Sequence, residues 1–340
     1  MEDQIFQLKK LLEDAENILV TSHISPDPDA VCSSLLIYLA IKTNYPDKKI
    51  KLVLEEKPSN DLSFLQGYEQ IEFVDVAETL RQDNPDLVIV ADAGKLNRCS
   101  RNPAELHEAK LVIIDHHEPD DKDDADVYVN NGTPAATQEV YNLLFEKLGW
   151  TKPEGYQDIA LLGILADTFR FRYRNPLHRE TFRIVSDLLD AGASIEVLES
   201  KLNRYTKPQL EILGHLAANA VVTDQGFSYS WLYDEYVKDW LGKGNSVMDL
   251  KNGCEIFVNQ FVRNLNNNLW GFIVYPDLAA GEGSYSVSFR SASGVRNVQN
   301  IAKLLGGGGH VPAAGAKFQA ANMQEAINKV LKAIENTPDS

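Results

Sequence analysis

The segment Leu111–His117 constrains the fold of this chain more than any other stretch. Four apolar residues, Leu-Val-Ile-Ile, are followed at once by Asp115, His116 and His117. A short apolar run of this kind predicts a buried strand, and in an open α/β sheet the carboxyl ends of the strands border the ligand-binding crevice. The segment therefore predicts a strand that delivers a carboxylate and two imidazoles to a site.

Three more segments have the same build, an apolar run that ends in Asp or His. They are Ile18–His23, Leu87–Asp92 and Ile159–Asp167. The last belongs to a predicted helix, where burial of an unpaired Asp167 carboxylate would cost on the order of several kcal/mol and a cation would compensate. Together the four segments predict a metal centre.

Length and element order indicate two domains. A chain of 340 residues is long for one hydrophobic core. In residues 1–191 strands alternate with helices, which predicts an α/β domain with a doubly wound, mainly parallel sheet and helices on both faces. Residues 192–211 predict a helical linker, and 212–340 a smaller α/β domain with a mixed sheet. We expect the active site in the interdomain cleft.

The second domain shows alternating apolar residues, which predict strands. These strands are expected near Phe227–Leu232, Cys254–Val262, Leu269–Val274 and Ser284–Arg290. Helices are predicted near 233–240, 297–305 and 322–335. The glycine run at 306–309 is predicted to form a turn.

Charge and cysteine usage narrow the functional class. The formal net charge of −16 argues against binding of long duplex nucleic acid, which needs many Lys and Arg contacts to phosphates, but permits a small anionic substrate in a locally positive pocket. The cysteines Cys32, Cys99 and Cys254 are odd in number and lack paired spacing, which fits reduced thiols. The N-terminus is unlike a signal peptide and no apolar run approaches about 20 residues. We expect a cytoplasmic protein without a membrane partner.

His23, Asp27 and Asp29 lie in one loop after the first predicted strand. One imidazole and two carboxylates offer nitrogen and oxygen ligands, which suit Mn, Mg or Zn rather than thiolate chemistry. The alternative is a turn in which Asp caps the helix from Ala30. Asp92 has a comparable alternative as a cap or a ribose ligand.

Polar groups at the ends of four apolar segments would form a cluster able to hold two ions a few ångström apart. Such a pair would bind a bridging hydroxide, lower its pKa and clamp a phosphate for in-line attack. The adjacent His116 and His117 point to different sides, so they can divide between metal and substrate. The alternative for both is a solvated loop.

In the second domain, Gly306–Gly309 is followed by His310 and then by Ala313-Ala314-Gly315. Consecutive glycines let backbone N–H groups approach an anion, and small residues suit a helix or turn packed against that nest; the alternative is a flexible loop. Arg290, two residues after Ser288, suits bidentate phosphate binding; the alternative is an ordinary surface residue. The alternating aromatics and arginines of Phe169–Arg174 would stack a base or form an amphipathic strand.

These motifs together resemble those of the DHH phosphoesterase superfamily. The N-terminal ones are His23-Ile-Ser-Pro-Asp27-Pro-Asp29-Ala30, Val90-Ala-Asp92, Asp115-His116-His117 and Gly163-Ile-Leu-Ala-Asp167-Thr168, and Gly306–Gly315 resembles the glycine-rich motif of the DHH-associated C-terminal domain. Size and layout are most similar to the stand-alone nano-RNase and pAp phosphatase group. One departure is Cys32, where the family usually has Gly, so we expect slightly shifted helix packing there with metal binding retained.

The resemblance implies two divalent ions, Mn²⁺. It implies that His23 and Asp27 hold one ion, that Asp29, His116 and Asp167 hold the other, and that Asp92 bridges both. His117 would face the scissile phosphate and Asp115 would orient a neighbouring imidazole, so Asp92, Asp115 and His117 are the catalytic candidates. Arg290 and His310 would reach across the cleft to the substrate's phosphate and terminal nucleotide. The remaining substrate-binding candidates are Ser288, Gly307, Gly308 and Gly309.

The expected function is that of a Mn²⁺-dependent phosphoesterase. It would remove 5′-nucleoside monophosphates from very short oligoribonucleotides and dephosphorylate 3′-phosphoadenosine 5′-phosphate (pAp). The alternatives are a pApA or cyclic di-AMP phosphodiesterase, a non-catalytic nucleotide sensor and, less favoured, an exopolyphosphatase or inorganic pyrophosphatase. The expected partners are short oligoribonucleotides or phosphorylated nucleotides as substrates, with a homodimer left open.

Overall fold

The computed structural model describes residues 2–106, 108–117, 125–172, 178–202 and 204–337. The chain divides into two compact units, Met1–Arg204 and Tyr205–Ser340, which we call the N-terminal and C-terminal units. The boundary between them lies inside the segment 192–211. In the described ranges, no helix combines the length and apolar character needed to span a membrane.

The N-terminal unit is built on a six-stranded parallel sheet. Its strands are β1 (Asn17–Ser22), β2 (Lys49–Leu54), β3 (Ile71–Phe73), β4 (Leu87–Ala91), β5 (Lys110–Ile114) and β6 (Val127–Val129). Its helices are α1 (Glu2–Asp14), α2 (Pro28–Asn44), α3 (Val76–Asp83), α4 (Ala136–Tyr141), α5 (Tyr156–Asp167), α6 (His178–Asp190) and α7 (Ile195–Leu202). A π-helical segment, Asn142–Lys147, continues α4. The expected parallel α/β sheet is confirmed.

Alternate side chains of the central strands enter two hydrophobic cores on opposite faces of the sheet. In β1, Ile18 and Val20 lie in a large core with α2 and α5, whereas Leu19 lies in a smaller core with α3. A strand buried on both faces carries a continuous apolar run rather than an alternating one. The helices therefore cover both faces, and this is why the strands are recognisable in the sequence.

The strand order is β3-β2-β1-β4-β5-β6, so the direction of winding reverses between β1 and β4. In doubly wound sheets the loops at such a reversal leave a crevice at the carboxyl ends of the strands, where ligands bind. β1 leads directly to His23 and β4 leads directly to Asp92. The fold therefore brings two of the expected ligands to this crevice.

The C-terminal unit contains a six-stranded mixed sheet in the order β11-β12-β10-β9-β8-β7, counted along the chain as β7 (Val221–Val222), β8 (Ser228–Trp231), β9 (Trp270–Pro276), β10 (Ser284–Ser291), β11 (Gly308–His310) and β12 (Ala313–Gln319). The helices are α8 (Lys207–Ala218), α9 (Asp234–Gly242), α10 (Val247–Gln260), α11 (Val298–Leu304) and α12 (Met323–Glu335). Only β8 and β9 pair in parallel among these strands. Phe289 of β10 faces the core with α11 and α12, and Ile273 of β9 faces the core with α8 and α10. The expected mixed sheet is confirmed.

The strand expected at Cys254–Val262 is wrong, because Cys254–Gln260 belongs to helix α10. The buried residues of α10 recur at helical spacing: Leu250, Gly253, Cys254, Phe257 and Val258. This period begins before Cys254. A window that starts at Cys254 therefore misses the first helical turn and mistakes the remainder for alternation.

The Gly306–Gly315 segment contains an edge hairpin in which β11 pairs antiparallel with β12. Gly306 lies in a turn, as do Val311 and Pro312, but Gly308, Gly309 and Ala313–Gly315 lie in strands rather than in the expected helix, turn or loop. A Cβ on Gly307 would lie 2.1 Å from the carbonyl oxygen of Gly315, and Gly309 has a φ of 131°. Close strand approach and backbone conformation therefore require these two glycines.

The alternating segment at Phe169 is not a strand in its described part. Phe169, Arg170 and Phe171 have φ values of 50°, 60° and 59° and form a turn after α5. Tyr173 and Arg174 lie outside the described residues.

Candidate metal centre

The expected metal ligands and catalytic residues of the N-terminal unit all lie at the ends of secondary-structure elements. His23 follows β1, Asp92 follows β4, and Asp115, His116 and His117 follow β5; Asp27 caps α2, Asp29 lies in its first turn, and Asp167 ends α5. Parallel strands end at a common carboxyl edge, so side chains that follow them converge. The structure brings this set together within one unit.

The ligand atoms form three overlapping groups, in each of which all atoms lie within 4.8 Å of one another. The groups are His23, Asp27 and Asp92; Asp29, His116 and Asp167; and Asp92, His116 and His117. Asp92 and His116 each belong to two groups. The donor set therefore offers overlapping positions for a cation around the Asp92 carboxylate.

Asp92 lies at the centre of these groups and is 2% exposed. Its Oδ2 is 3.5 Å from Nε2 of His23, and its Oδ1 is 3.4 Å from Nε2 of His116. Within the described ranges, the buried Oδ1 has no hydrogen-bond partner. The backbone φ of Asp92 is 56°, a left-handed conformation that costs energy in a non-glycine residue. A buried carboxylate oxygen without a hydrogen bond fits a bound cation.

The imidazoles have the orientation found in metal-binding histidines. Nδ1 of His23 lies 2.9 Å from the carbonyl oxygen of Ile24, and Nδ1 of His116 lies 3.3 Å from that of Thr133. Because a carbonyl only accepts hydrogen bonds, Nδ1 carries the proton in each neutral ring. In that state each Nε2 carries the lone pair and lies next to carboxylates. The backbone carbonyls fix the orientation of the rings, as hydrogen-bond partners of the other ring nitrogen do in metal sites.

The carboxylates are too crowded to be charged together without a cation. Burial and the charge of Asp92 raise the pKa of Asp29 to about 7. Burial, followed by the charge of Asp29, raises the pKa of Asp167 well above its usual range. Burial opposes ionisation of Asp92 also, but contacts with His116 and His23 hold its pKa below the usual range. A divalent cation would favour the charged form of all three.

The same contacts keep the two imidazoles protonated when no cation competes. Burial alone would lower the pKa of His23, but the hydrogen bond and charge of Asp92 and the charge of Asp27 raise it to about 9. The pKa of His116 rises well above its usual value because Asp92 and Asp167 outweigh burial. Without a cation, His23 and His116 therefore hold protons, and a bound cation would take the place of those protons.

Asp27 is both a helix cap and a member of the first group. Its Oδ1 accepts from the backbone N–H groups of Asp29 at 2.9 Å and Ala30 at 3.0 Å. The cap and ligand interpretations are therefore compatible, since a carboxylate has a second oxygen.

Asp29 is fixed by the start of α4, a contact that the sequence motifs do not reveal. Its Oδ2 accepts from Ala136 N at 2.7 Å and its Oδ1 from Thr137 N at 3.0 Å. A helix N-terminus offers unpaired N–H groups to anions. The helix start near Ala135 is visible in the sequence, but nothing there links it to an acid 107 residues away.

Gly163 lets α5 approach Asp29. A Cβ on Gly163 would lie 2.2 Å from Thr137 Oγ1 and 3.0 Å from Asp29 Oδ1. Cys32, the departure from the family pattern, is fully buried in α2. Beside it, Ser33 and Ser34 donate to the carbonyls of Asp29 at 2.7 Å and Ala30 at 2.6 Å.

Asp115 orients His117. Its Oδ1 lies 2.7 Å from Nδ1 of His117 and accepts from the backbone N–H of His116 at 2.8 Å. The phenol of Tyr128 lies 3.5 Å from Oδ2. The carboxylate therefore fixes the tautomer of His117 and directs its Nε2 away from Asp115.

In the C-terminal unit, the structure brings the expected residues onto one sheet face. Ser288 pairs with Gly315, which pairs with Gly308, and Arg290 pairs with Ala313, which pairs with His310. Laterally paired residues point to the same face. Gly307 and Gly309 alternate with Gly308 along the chain and contact backbone atoms of β12.

Comparison with known proteins gives matches along most of the chain. The sequence profile of the DHH family, N-terminal domain, matches residues 17–164, and that of the DHHA1 domain matches residues 251–336. The bifunctional oligoribonuclease and PAP phosphatase NrnA of Thermus thermophilus is 31% identical over 318 residues, covering 93% of this chain and 89% of the relative.

Solved structures share the fold. An exopolyphosphatase-related protein from Bacteroides fragilis superposes with a TM-score of 0.84 at 22% identity, covering 98% of this chain and 96% of that one. Exonuclease RecJ bound to manganese superposes with a TM-score of 0.55 at 16% identity, covering 99% and 94% of the two chains.

Proposed function

Because the chain belongs to the DHH family of hydrolytic phosphoesterases, we propose that it degrades very short oligoribonucleotides to 5′-nucleoside monophosphates and dephosphorylates pAp. The observation that carries this proposal is the complete acid and imidazole cluster around Asp92 in a chain 31% identical to an oligoribonuclease and PAP phosphatase along 93% of its length.

We propose that two divalent cations, most suitably Mn²⁺, are the cofactors. His23 and Asp27 would hold one, Asp29, His116 and Asp167 the other, with Asp92 shared. Carboxylate oxygens and imidazole nitrogens suit such ions better than thiolates would. When bound, the cations would neutralise phosphate charge and lower the pKa of water at the site.

His117 and Asp115 would handle the proton. The Asp115 carboxylate accepts from Nδ1–H of His117, so Nε2 is the atom that would face the phosphate. In the protonated ring, Nε2–H would donate to a phosphate oxygen or to the departing hydroxyl. Asp115 would stabilise the charged ring, as a carboxylate behind a catalytic histidine does.

The C-terminal unit would bind the nucleotide through Arg290, His310 and Ser288. Arg290 offers a guanidinium fork that matches phosphate, and Gly308 leaves open space on the same face. A local positive group of this kind allows an anionic substrate in a chain with a net charge of −16. The buried cysteines Cys32, Cys99 and Cys254 form no disulfide, which supports a reducing, cytoplasmic setting.

The test is product analysis with Mn²⁺ on 5′-labelled RNAs of two to about twenty-four nucleotides, pAp, pApA, cyclic di-AMP and polyphosphate. The expected result is rapid loss of mononucleotides from the shortest RNAs, with phosphate release from pAp. Cleavage confined to pApA or cyclic di-AMP would replace the proposal with second-messenger turnover. Nucleotide binding without any turnover would replace it with a sensor.

A further inference from the structure

The face of the second sheet that carries Arg290 changes from apolar to polar between neighbouring strands. On β9, Ile273 of this face lies in the core with α8 and α10. On the neighbouring strand β10, Ser288 pairs with Ile273, and Arg290 lies two residues after Ser288. Beyond them the paired residues of β12 and β11 are Ala313, Gly315, Gly308 and His310. We call these residues, with Ser288 and Arg290, the polar face.

The guanidinium of Arg290 is held in place at one end only. Its Nε–H donates to Oδ1 of Asn259 at 2.7 Å, and Nη1 donates to the carbonyl of Phe289 at 2.8 Å. A guanidinium has five N–H donors, so three remain. In the part of the chain that the structure describes, these three make no hydrogen bond or ion pair. Two parallel N–H donors are what bidentate phosphate binding requires.

Asn259 reaches Arg290 because of where it lies on α10. Residues Cys254, Phe257 and Val258 of this helix are buried in the core, and Asn259 follows them at the edge of that core. Since Nε–H is a donor, the side-chain amide must present its oxygen. Glu255 lies one turn earlier, and its charge opposes the lowering of the Arg290 pKa by burial, but no ion pair joins the two residues.

We propose that Asn259 is a positioning residue that fixes the Arg290 guanidinium so that its three remaining N–H donors bind a phosphate of a nucleotide lying on the polar face. The inference rests on the proposed function for its substrate class. Asn259 contacts no substrate itself. It acts by holding Arg290 in one rotamer before the phosphate arrives, which spares the ordering cost of a long side chain.

The expected effect of Asn259→Ala follows from that cost. Immobilising a rotamer-rich side chain on binding costs about 0.5–1.5 kcal/mol. KM for pAp and for dinucleotide RNA should therefore rise about 2- to 10-fold, with kcat nearly unchanged. Asn252→Ala is the matched control, because Asn252 lies two helical turns earlier on the same face of α10. It should leave KM and kcat at wild-type values.

A double-mutant cycle separates positioning from a structural role. In an Arg290→Ala background, Asn259→Ala should raise KM no further, because its only route to the phosphate has been removed. A merely structural role would lower stability and raise KM in both backgrounds alike. Additive effects of the two substitutions would overturn the inference.

Two readouts without turnover make the test independent of the proposed activity. The first is the Arg290 Nε–H resonance in ¹⁵N-arginine-labelled full-length protein, which should exchange slowly with water in the wild type and rapidly in Asn259→Ala. The second is the Kd for AMP, which should rise by the same factor as KM. If the wild type cleaves neither RNA nor pAp, the proposed function fails, while weaker AMP binding by Asn259→Ala alone still supports the inference. Unchanged AMP binding in Asn259→Ala, whatever the turnover, overturns it.

Discussion

The metal centre of the N-terminal unit and the polar face of the C-terminal unit are assembled in different ways. The ligands around Asp92 lie at or next to the ends of strands and helices, and the common carboxyl edge of a parallel sheet brings them together. Arg290, Ala313 and His310 become neighbours only because three antiparallel strands pair in one register. The first site depends on where elements end, and the second on how they align laterally.

The two sites also differ electrostatically. Asp29, Asp92 and Asp167 place three carboxylates close together, and burial raises the pKa of Asp29 to about 7. Arg290 is already supported by Asn259 and by a backbone carbonyl. A cation would therefore relieve the repulsion at the metal centre, whereas the Arg290 guanidinium already has protein partners. Substitutions should have large effects at the first and modest effects at the second.

Asp92→Asn should have the largest effect. It removes the charge shared by two ligand groups, while Asn tolerates the left-handed backbone at φ 56°, so the fold should persist. We expect loss of bound Mn²⁺ by elemental analysis and a fall in kcat/KM of at least about 10³-fold, or about 4 kcal/mol. Full metal content with turnover intact would contradict the central place of Asp92.

Gly163→Ala tests whether close helix packing supports the centre. The methyl group would meet Thr137 Oγ1 at 2.2 Å, and overpacking costs typically about 1–3 kcal/mol. We expect the free energy of unfolding to fall by about 3 kcal/mol and activity to fall with it. Gly214→Ala in α8 is the control: nothing lies within 4 Å of its Cβ, so it should stabilise by about 0.5–1 kcal/mol. Equal effects of the two substitutions would argue against the packing explanation.

The contrast between the sites explains what the sequence could predict. The motifs predicted that His23, Asp92 and Asp167 would cluster. Each of them follows or ends an apolar segment, and that position can be read directly from the sequence. Asn259 was missed because Cys254–Val262 was predicted as a strand, and its contact with Arg290 depends on packing of α10 against β10. The contact of Asp29 with Ala136 N was missed for the same reason, since helix packing is not written in local spacing.

The C-terminal glycines show this limit most clearly. The run was predicted to bring backbone N–H groups close to an anion, and that stays a prediction. What the structure shows is close approach within the sheet: a Cβ on Gly307 would lie 2.1 Å from the carbonyl oxygen of Gly315. The pairing of β11 with β12 decides this, and a run of glycines predicts strands poorly.

Asp115→Asn should have an intermediate effect in the metal centre. The amide oxygen can still accept from Nδ1–H of His117, at 2.7 Å in the wild type, but the charge that stabilises the protonated ring is lost. We expect kcat to fall about 10- to 100-fold with Mn²⁺ content retained. Tyr128→Phe removes a 3.5 Å contact to the same carboxylate and should lower kcat by less than about 3-fold. Loss of metal from Asp115→Asn would instead make Asp115 part of the ion-binding set.

Gly308→Ala should have the smallest effect on the fold. It tests whether a nucleotide binds on the polar face. Nothing lies within 4 Å of a Cβ at Gly308, so we expect unfolding free energy within about 0.5 kcal/mol of wild type. The methyl group would project from the face that carries Arg290, so a nucleotide lying there should bind a few-fold more weakly, raising KM for pAp at constant kcat. Gly307→Ala should lower stability by about 1–3 kcal/mol, because its methyl meets the Gly315 carbonyl with or without ligand. If Gly308→Ala leaves KM unchanged, the open space above β11 is not used by the substrate, and the glycine run serves strand pairing alone.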